Sequence, residues 1–439
     1  MAGNETMQVN LSQPRPLPDR TATDLGGPHP AGRVGMVSGG TPQALRLHPI
    51  APDAPVPVYR PYLASEVQDA ARGALEAGWL GMGKLTRNFE EALEAYLGLD
   101  GRHVVSANSC TEAIHIAARL IGLKPGDEVI CPSFTYVAGH QAISRTGADV
   151  VFCDVEDRHL SIDPDRVAEL ITDRTRAILA VDYLGLPCRL EEIMAIARAH
   201  GLRVIEDAAH AFGSHGASGR VGSFGDITCF SFGPVKTITT LEGGAVVTPN
   251  AGDVQVLHEL RHLGIDADTD ARYRNQRNWE FDVVRQGYRC HLGSVPAAIG
   301  LAQMALVDEF IANRQQYCRF YDEAFRDLDG VQLFETDWEG VAPYIYVIRV
   351  SANVRADLIE HLKRLGIATG IHFLGAHGFS FYKDCRRGDL SVTDRVTQQV
   401  LTLPLHPYMD ESTLARVADG VRSFFTGSAA VPAARINAG

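Results

Sequence analysis

Lys236, Asp207 and Ser231 are the residues of this chain whose types and order suit one piece of chemistry. An amine can hold an aldehyde as a Schiff base. A carboxylate can keep a pyridine nitrogen protonated, so that the ring draws electrons from a new carbanion, and a hydroxyl can donate to a phosphate. Those are the needs of pyridoxal phosphate. Lys236 is one of five lysines (Lys84, Lys124, Lys236, Lys363 and Lys383) in a chain that otherwise uses arginine for positive charge. Taken singly, Asp207 reads more readily as a helix cap, Ser231 as a strand-end hydroxyl and Lys236 as a solvated loop charge. As an ordered set they read as a cofactor site.

The elements that must position them follow from apolar spacing. A strand over Leu202 to Ile205 delivers Asp207, and a second over Ile227 to Phe232 delivers Ser231 and, past Gly233-Pro234, Lys236. Both sets emerge at strand ends, where open α/β sheets bind ligands. Upstream, a strand over His103 to Ser106 runs through Asn108-Ser109-Cys110-Thr111 into a helix over Glu112 to Ile121. Small polar residues at such a junction offer amides, hydroxyls and a positive dipole end to a phosphate, although a plain N-cap fits as well. The strand Glu128 to Cys131 leads to Phe134 and Tyr136. Tyr136 is the candidate to stack on a flat ring, with a core aromatic as the competing role. Strands at Val150 to Cys153 and Ala177 to Val181 complete a repeated βα pattern, which predicts a mostly parallel sheet with crossover helices. Tyr183, just past the last of these, joins the candidate substrate contacts.

Residues 1–55 read as a flexible leader rich in Pro, Gly, Ser and Thr, 56–305 as a large α/β domain, 306–427 as a smaller α+β domain and 428–439 as a tail. The turn Gly78 to Gly83 places Gly81 and Met82 as candidate contacts to a substrate phosphate, with an ordinary turn as the competing role. The polar stretch 264–288 is long enough to be expected to be functional or mobile. One long helix is predicted from Val295 to about Leu328, bridging to the smaller domain. There, strands at Tyr344 to Val350 and Ile367 to Phe373 alternate with helices at Arg355 to Leu365, Val392 to Gln399 and Glu411 to Phe424. The segment from His372 to Gly378 carries His372 and His377, a candidate rim for a polar substrate.

The formal net charge is −12 with no basic tract, which argues against nucleic acid as a partner. No run of about 18 apolar residues argues for a membrane span. The first residues lack a basic region followed by an apolar stretch, so a cytoplasmic protein is expected. The eight cysteines are scattered without metal-ligand spacing; they read as small reduced core residues, and no metal is expected.

Quoted in order, Asn-Ser-Cys-Thr-Glu-Ala, Pro-Ser-Phe-Thr-Tyr-Val-Ala, Glu-Asp-Ala-Ala-His-Ala, Gly-Ser-Phe-Gly-Asp, Ser-Phe-Gly-Pro-Val-Lys, Glu-Gly-Gly-Ala-Val-Val-Thr and Ala-Ala-Ile-Gly-Leu make the chain resemble the DegT/StrS sugar aminotransferases from about Tyr59 to Phe425. The resemblance implies the fold type I architecture of aspartate aminotransferase: a large domain with a mixed, mostly parallel sheet flanked by helices, and a smaller C-terminal α+β domain. It implies that Lys236 binds the cofactor covalently and moves protons, that Asp207 pairs with the pyridine nitrogen and that Tyr136 stacks on the ring. His210 would lie near the phenolic oxygen, and Cys110 (by its backbone), Thr111 and Ser231 would hold the phosphate. A homodimer with shared active sites is implied too, the borrowed residue normally being an Asn in the segment aligned with Gly287 to Leu292. That segment here holds Arg289 and His291 and no Asn; an arginine can grip a phosphate with two hydrogen bonds. Other departures are Cys110 for Gly, Asp182 where His is common and Thr237 where Asn follows the lysine.

The activity expected from the resemblance moves the amino group of L-glutamate, or L-glutamine, onto a nucleotide-linked keto (deoxy)sugar, the cofactor cycling through pyridoxamine phosphate. The product would be an amino sugar for a secondary metabolite, such as an antibiotic, or for a surface glycan. A keto-cyclitol acceptor is the alternative, and a regulatory protein that holds the cofactor without turnover is a second. Lys236 argues against the related deoxysugar dehydratases, which have His in its place.

Overall fold

In the computed structural model, residues 50–427 are described, apart from 52, 217, 267 and 268. The expected leader, save for residues 50–55, and the expected tail lie outside the described residues. Nine strands occur between residues 103 and 248: β1 (His103–Ala107), β2 (Glu128–Pro132), β3 (Asp149–Cys153), β4 (Thr175–Val181), β5 (Arg203–Asp207), the two-residue strands β6 (His215–Gly216) and β7 (Gly219–Arg220), β8 (Ile227–Ser231) and β9 (Gly244–Thr248). Seven of them form one sheet in the order β1-β9-β8-β5-β4-β2-β3. Only β9 runs against the others, pairing antiparallel with both β1 and β8. The sheet is mixed and mostly parallel, as expected.

Burial on both faces explains why its strands read as nearly unbroken apolar runs. Successive side chains alternate between two cores: Val129 and Cys131 of β2 face one, whereas Ile130 faces the other with Val204 of β5 and the helices Pro164–Leu170 and Leu190–His200. The carboxyl ends of β5 and β8 therefore meet in register, with Asp207 beside Cys229, and open onto one edge of the sheet.

The expected single helix from Val295 is two, Ser294–Met304 and Val307–Phe325, bent by 62°. The first packs under the helices Ser65–Glu76 and Lys84–Leu97. The second sends Tyr317, Cys318, Tyr321 and Phe325 into the core of a second sheet, so no straight rod could cover both. That sheet is antiparallel, in the order β10 (Val331–Gln332), β11 (Tyr346–Val350), β12 (Val400–Leu403). The strand expected over Ile367 to Phe373 is reduced to single bridges, Ile367 with Val56 and Gly370 with Thr402. A helix at Ala138–Ser144 and strand β12 were not anticipated.

The polar stretch 264–288 contains a short helix, Thr269–Tyr273, and its end is buried. Tyr273 meets Glu90 and Arg261 there: the Arg261 Nη1 lies 2.5 Å from Glu90 Oε1 and Nη2 lies 2.5 Å from the Tyr273 hydroxyl, which itself donates to Glu90 Oε2. Glu90 also accepts from the Ser106 amide at 2.8 Å and the Ser106 hydroxyl at 2.6 Å. Among the described residues no single helix is long and apolar enough to cross a membrane. All eight cysteines are free thiols, seven of them buried.

Candidate active site

At the carboxyl edge of the large sheet lies a cavity of about 500 Å³, lined by Cys110, Thr111, Tyr136, Asp207, His210, Ser231, Lys236 and His372 among others. Eight of the residues singled out in the sequence thus come together. Each is delivered by a local device. The chain leaves β8 at Ser231 and folds back on itself, the Phe232 carbonyl accepting from the Thr240 amide at 2.9 Å and the Phe232 amide donating to Gly243 O at 2.8 Å. Lys236 rides on this loop, its amide donating to Gly233 O at 3.2 Å.

Ser109 caps the helix Cys110–Leu120 by accepting from the Glu112 amide at 3.2 Å. The first amides of that helix, with the positive end of its dipole, face the cavity next to the hydroxyls of Thr111 and Ser231. β9 presses against this turn: a Cβ on Gly244 would lie 2.6 Å from Cys110 N, so only glycine lets the two backbones approach. Amides and hydroxyls without a competing carboxylate on them suit a phosphate ester.

Asp207 is buried at the end of β5. Its Oδ1 accepts from the Ala209 amide at 3.1 Å and lies 3.9 Å from Cys110 Sγ. Its Oδ2 accepts no hydrogen bond among the described residues. Burial raises its carboxyl above the usual range, opposed by the Ala209 amide, the Lys236 charge and the Cys110 thiol. A desolvated acid with one unused oxygen facing a cavity suits a partner that brings its own N–H, and a pyridinium does so. The Lys236 Nζ forms no ion pair among the described residues and sits 3.9 Å from the centre of the Tyr344 ring. An amine, an acid with a vacant oxygen and an anion cradle therefore share one cavity, which fits pyridoxal phosphate.

Aromatic groups make the remaining wall. Tyr136 is 62% exposed and lies 6.0 Å from Phe373, ring to ring. His210 is buried against Tyr344 at 4.3 Å and stacks on Phe373 at 5.8 Å. Burial, with the charge of Lys236, drives its imidazole well below the ordinary value. His372 bridges the Tyr59 hydroxyl at 2.9 Å and Thr402 Oγ1 at 2.8 Å, and burial pushes it down to about 4. Tyr59, Tyr344, Phe373 and Glu242 line the cavity but were not singled out. Tyr344 precedes an apolar strand and Tyr59 precedes the first helix, so periodicity marks both as packing residues.

The other candidates do not line this cavity. Tyr183 is buried behind it and donates to the His372 carbonyl. His377 is held between Ser133 Oγ at 2.8 Å and Asp394 Oδ1 at 3.0 Å. Gly81 and Met82 belong to a turn in which Gly81 O accepts from Ser294 Oγ at 2.7 Å and Met82 O from the Trp79 indole at 2.9 Å. Arg289 is exposed and bridged to His262 through its backbone.

Comparison with known proteins agrees with the geometry. Spore coat polysaccharide biosynthesis protein SpsC of Bacillus subtilis is 32% identical over 385 residues, 85% of this chain and 98% of that protein. The aminotransferase TlmJ from Streptoalloteichus hindustanus superposes with a TM-score of 0.78 at 31% identity, over 85% of this chain and 99% of that one. Sugar aminotransferase CalS13 from Micromonospora echinospora does so with a TM-score of 0.76 at 28% identity, over 84% and 99%. Residues 61–422 match the DegT/DnrJ/EryC1/StrS aminotransferase family, so the chain belongs to that family and is a pyridoxal-phosphate-dependent aminotransferase.

Proposed function

We propose that the enzyme moves the amino group of L-glutamate, or of L-glutamine, onto the keto group of a nucleotide-linked keto (deoxy)sugar, in the cytoplasm, as a step of amino-sugar biosynthesis. The observation that carries this is one cavity in which, among the described residues, Lys236 makes no ion pair and Asp207 Oδ2 accepts no hydrogen bond. The sugar acceptor is supported by relatives named for polysaccharide biosynthesis and for sugar amination.

Bound pyridoxal phosphate supplies the electron sink that makes the donor's α-proton removable. Asp207 Oδ2 would accept from the pyridine N–H and keep that nitrogen charged. The Cys110 amide and the hydroxyls of Thr111 and Ser231 would hold the phosphate, with His210 beside the phenolic oxygen. Tyr136 would cover one ring face. Lys236 Nζ takes the α-proton from the donor and later delivers a proton to the aminated carbon of the acceptor. Glu242, which also lines the cavity, would offer its carboxylate to sugar hydroxyls, and the hydrogen-bonded pair of His372 and Tyr59 would shape the wall beside them. Arg289 does not line this cavity, and its assigned grip on a phosphate would be exercised in the site of a second copy, in a homodimer whose sites are shared.

The test is a pair of half-reactions. Glutamate should abolish the visible absorbance of the loaded enzyme, and one member of a panel of nucleotide-linked keto sugars should restore it. Restoration by a keto-cyclitol alone overturns the acceptor assignment. Absorbance that no amino acid changes marks a protein that holds the cofactor without turnover.

A further inference from the structure

Lys236 makes no ion pair among the described residues; it contacts an aromatic ring instead. Its Nζ lies 3.9 Å above the centre of the Tyr344 ring, within the range where a cation is held by an aromatic face. The ring itself is immobile. Tyr344 is buried, stacked on Tyr59 at 5.8 Å and 13°, and packed on its neighbour His210 at 4.3 Å. Its backbone is pinned at both ends, the carbonyl accepting from buried Arg314 at 3.0 Å and the amide donating to Leu184 O at 3.3 Å. Tyr59 is in turn fixed by His372, so the face that Lys236 sees is set by a chain of contacts reaching to Thr402.

We infer that Tyr344 is a positioning residue for Lys236, its ring face seating the side-chain nitrogen between successive proton transfers. This rests on the aminotransferase reading given above. A lysine that repeatedly takes and gives a proton must stay near one place without being locked in its charged form. A carboxylate at this spot would hold the ammonium tightly and oppose its use as a base. A π face attracts the charged form through its quadrupole and accepts a weak N–H···π contact from the neutral amine, so the nitrogen is kept close in both states.

The experiment compares Tyr344→Phe, Tyr344→Leu and a ring-fluorinated phenylalanine at the same position in the cofactor-loaded enzyme. The fluorinated ring keeps the shape but loses the negative face, so it separates packing from electrostatics should Tyr344→Leu fail to fold. The first readout is the pH midpoint of the cofactor's visible absorbance change without substrates, which reports the lysine–cofactor nitrogen. Tyr344→Phe should titrate like the wild type. Tyr344→Leu and the fluorinated ring should titrate lower by about half to one pH unit. The second readout is the single-turnover rate with glutamate, which should fall by about tenfold or more in both, with glutamate affinity little changed.

Midpoints and rates in both variants equal to those of Tyr344→Phe would overturn the inference while leaving the aminotransferase reading intact. Wild-type protein that binds no cofactor would overturn that reading, and the inference with it.

Discussion

Replacing Glu90 by Gln tests whether the buried Glu90–Arg261–Tyr273 cluster holds the scaffold behind the active site. Glu90 lies on the helix Lys84–Leu97, Ser106 on β1 three residues before the Ser109 cap, Arg261 at the end of the helix Ala251–Arg261 and Tyr273 in the long polar segment. The Arg261 side chain is entirely buried. Glutamine keeps the size of the side chain but leaves that guanidinium without its counter-charge, and breaking such a pair costs about 3–5 kcal/mol. With an unfolding entropy of about 2 cal/mol/K per residue, a chain of this size should melt roughly 3–6 °C lower.

The pH dependence has a definite sign. Burial alone would raise the Glu90 carboxyl, but Arg261, His258 and the hydrogen bonds from Ser106 and Tyr273 outweigh it and hold it below its ordinary value. The stability it contributes is therefore complete above the unfolded value of about 4.3 and is lost as pH falls through the lower folded value. Calorimetry and urea unfolding of wild type and Glu90→Gln at pH 7.5, and again near pH 4, supply the comparison. A loss below about 1 kcal/mol at pH 7.5, or a loss that does not shrink in acid, would refute the reasoning. Replacing both Glu90 and Arg261 by Met should recover most of the loss, because a buried pair is seldom better than well-packed apolar groups.

Asp207→Asn leaves the pyridine nitrogen without an anionic partner and should lower kcat with glutamate by about 10²–10³, an activity within fivefold of wild type counting against the assigned role. Gly244→Ala puts a methyl group 2.6 Å from Cys110 N, backbone against backbone. An overpacking cost of about 1–3 kcal/mol at the cradle should weaken cofactor binding by about fivefold or more in a dialysis titration. His140 is buried between Phe152 and Tyr382, and burial, only partly offset by its bond to Pro132 O at 3.0 Å, lowers it to about 4. The unfolded chain gains that proton near pH 6.5, so the fold should lose about 2 kcal/mol between pH 7 and pH 5 from this residue. In urea titrations His140→Gln should flatten that slope, and an unchanged slope would show the residue is not its source.

Much of the cradle was legible because it depends on short-range order. Short apolar runs mark where β5 and β8 end, so Asp207 and Ser231, the last residues of those strands, and Lys236, a few residues past the second, are placed by those ends. Cys110 and Thr111 follow in the same way from the junction of β1 with its helix. The opposite wall was not legible. Tyr59, Tyr344 and Phe373 come from segments far apart in sequence and converge only when the small sheet packs against the large one. Their local pattern is that of ordinary core aromatics. Tyr183 and His377 were drawn in by their proximity to strand ends and loops, whereas their polar atoms are turned to the His372 carbonyl, Ser133 and Asp394. The break at Ala305-Leu306 has no glycine or proline to announce it; the need to serve two cores sets it.

The two walls of the cavity have separate origins in the chain. The cradle is drawn from residues 109–244, whereas Tyr59, Tyr344, His372 and Phe373 stand outside that span. Mutation can reshape one wall while the other is inherited intact. A lineage of such enzymes is thus free to explore new acceptors by altering the outlying segments around Tyr344, keeping its grip on the cofactor so long as that ring stays in place. For the engineer, grafting those segments from a relative is a shorter route to a new product than redesigning the pocket residue by residue.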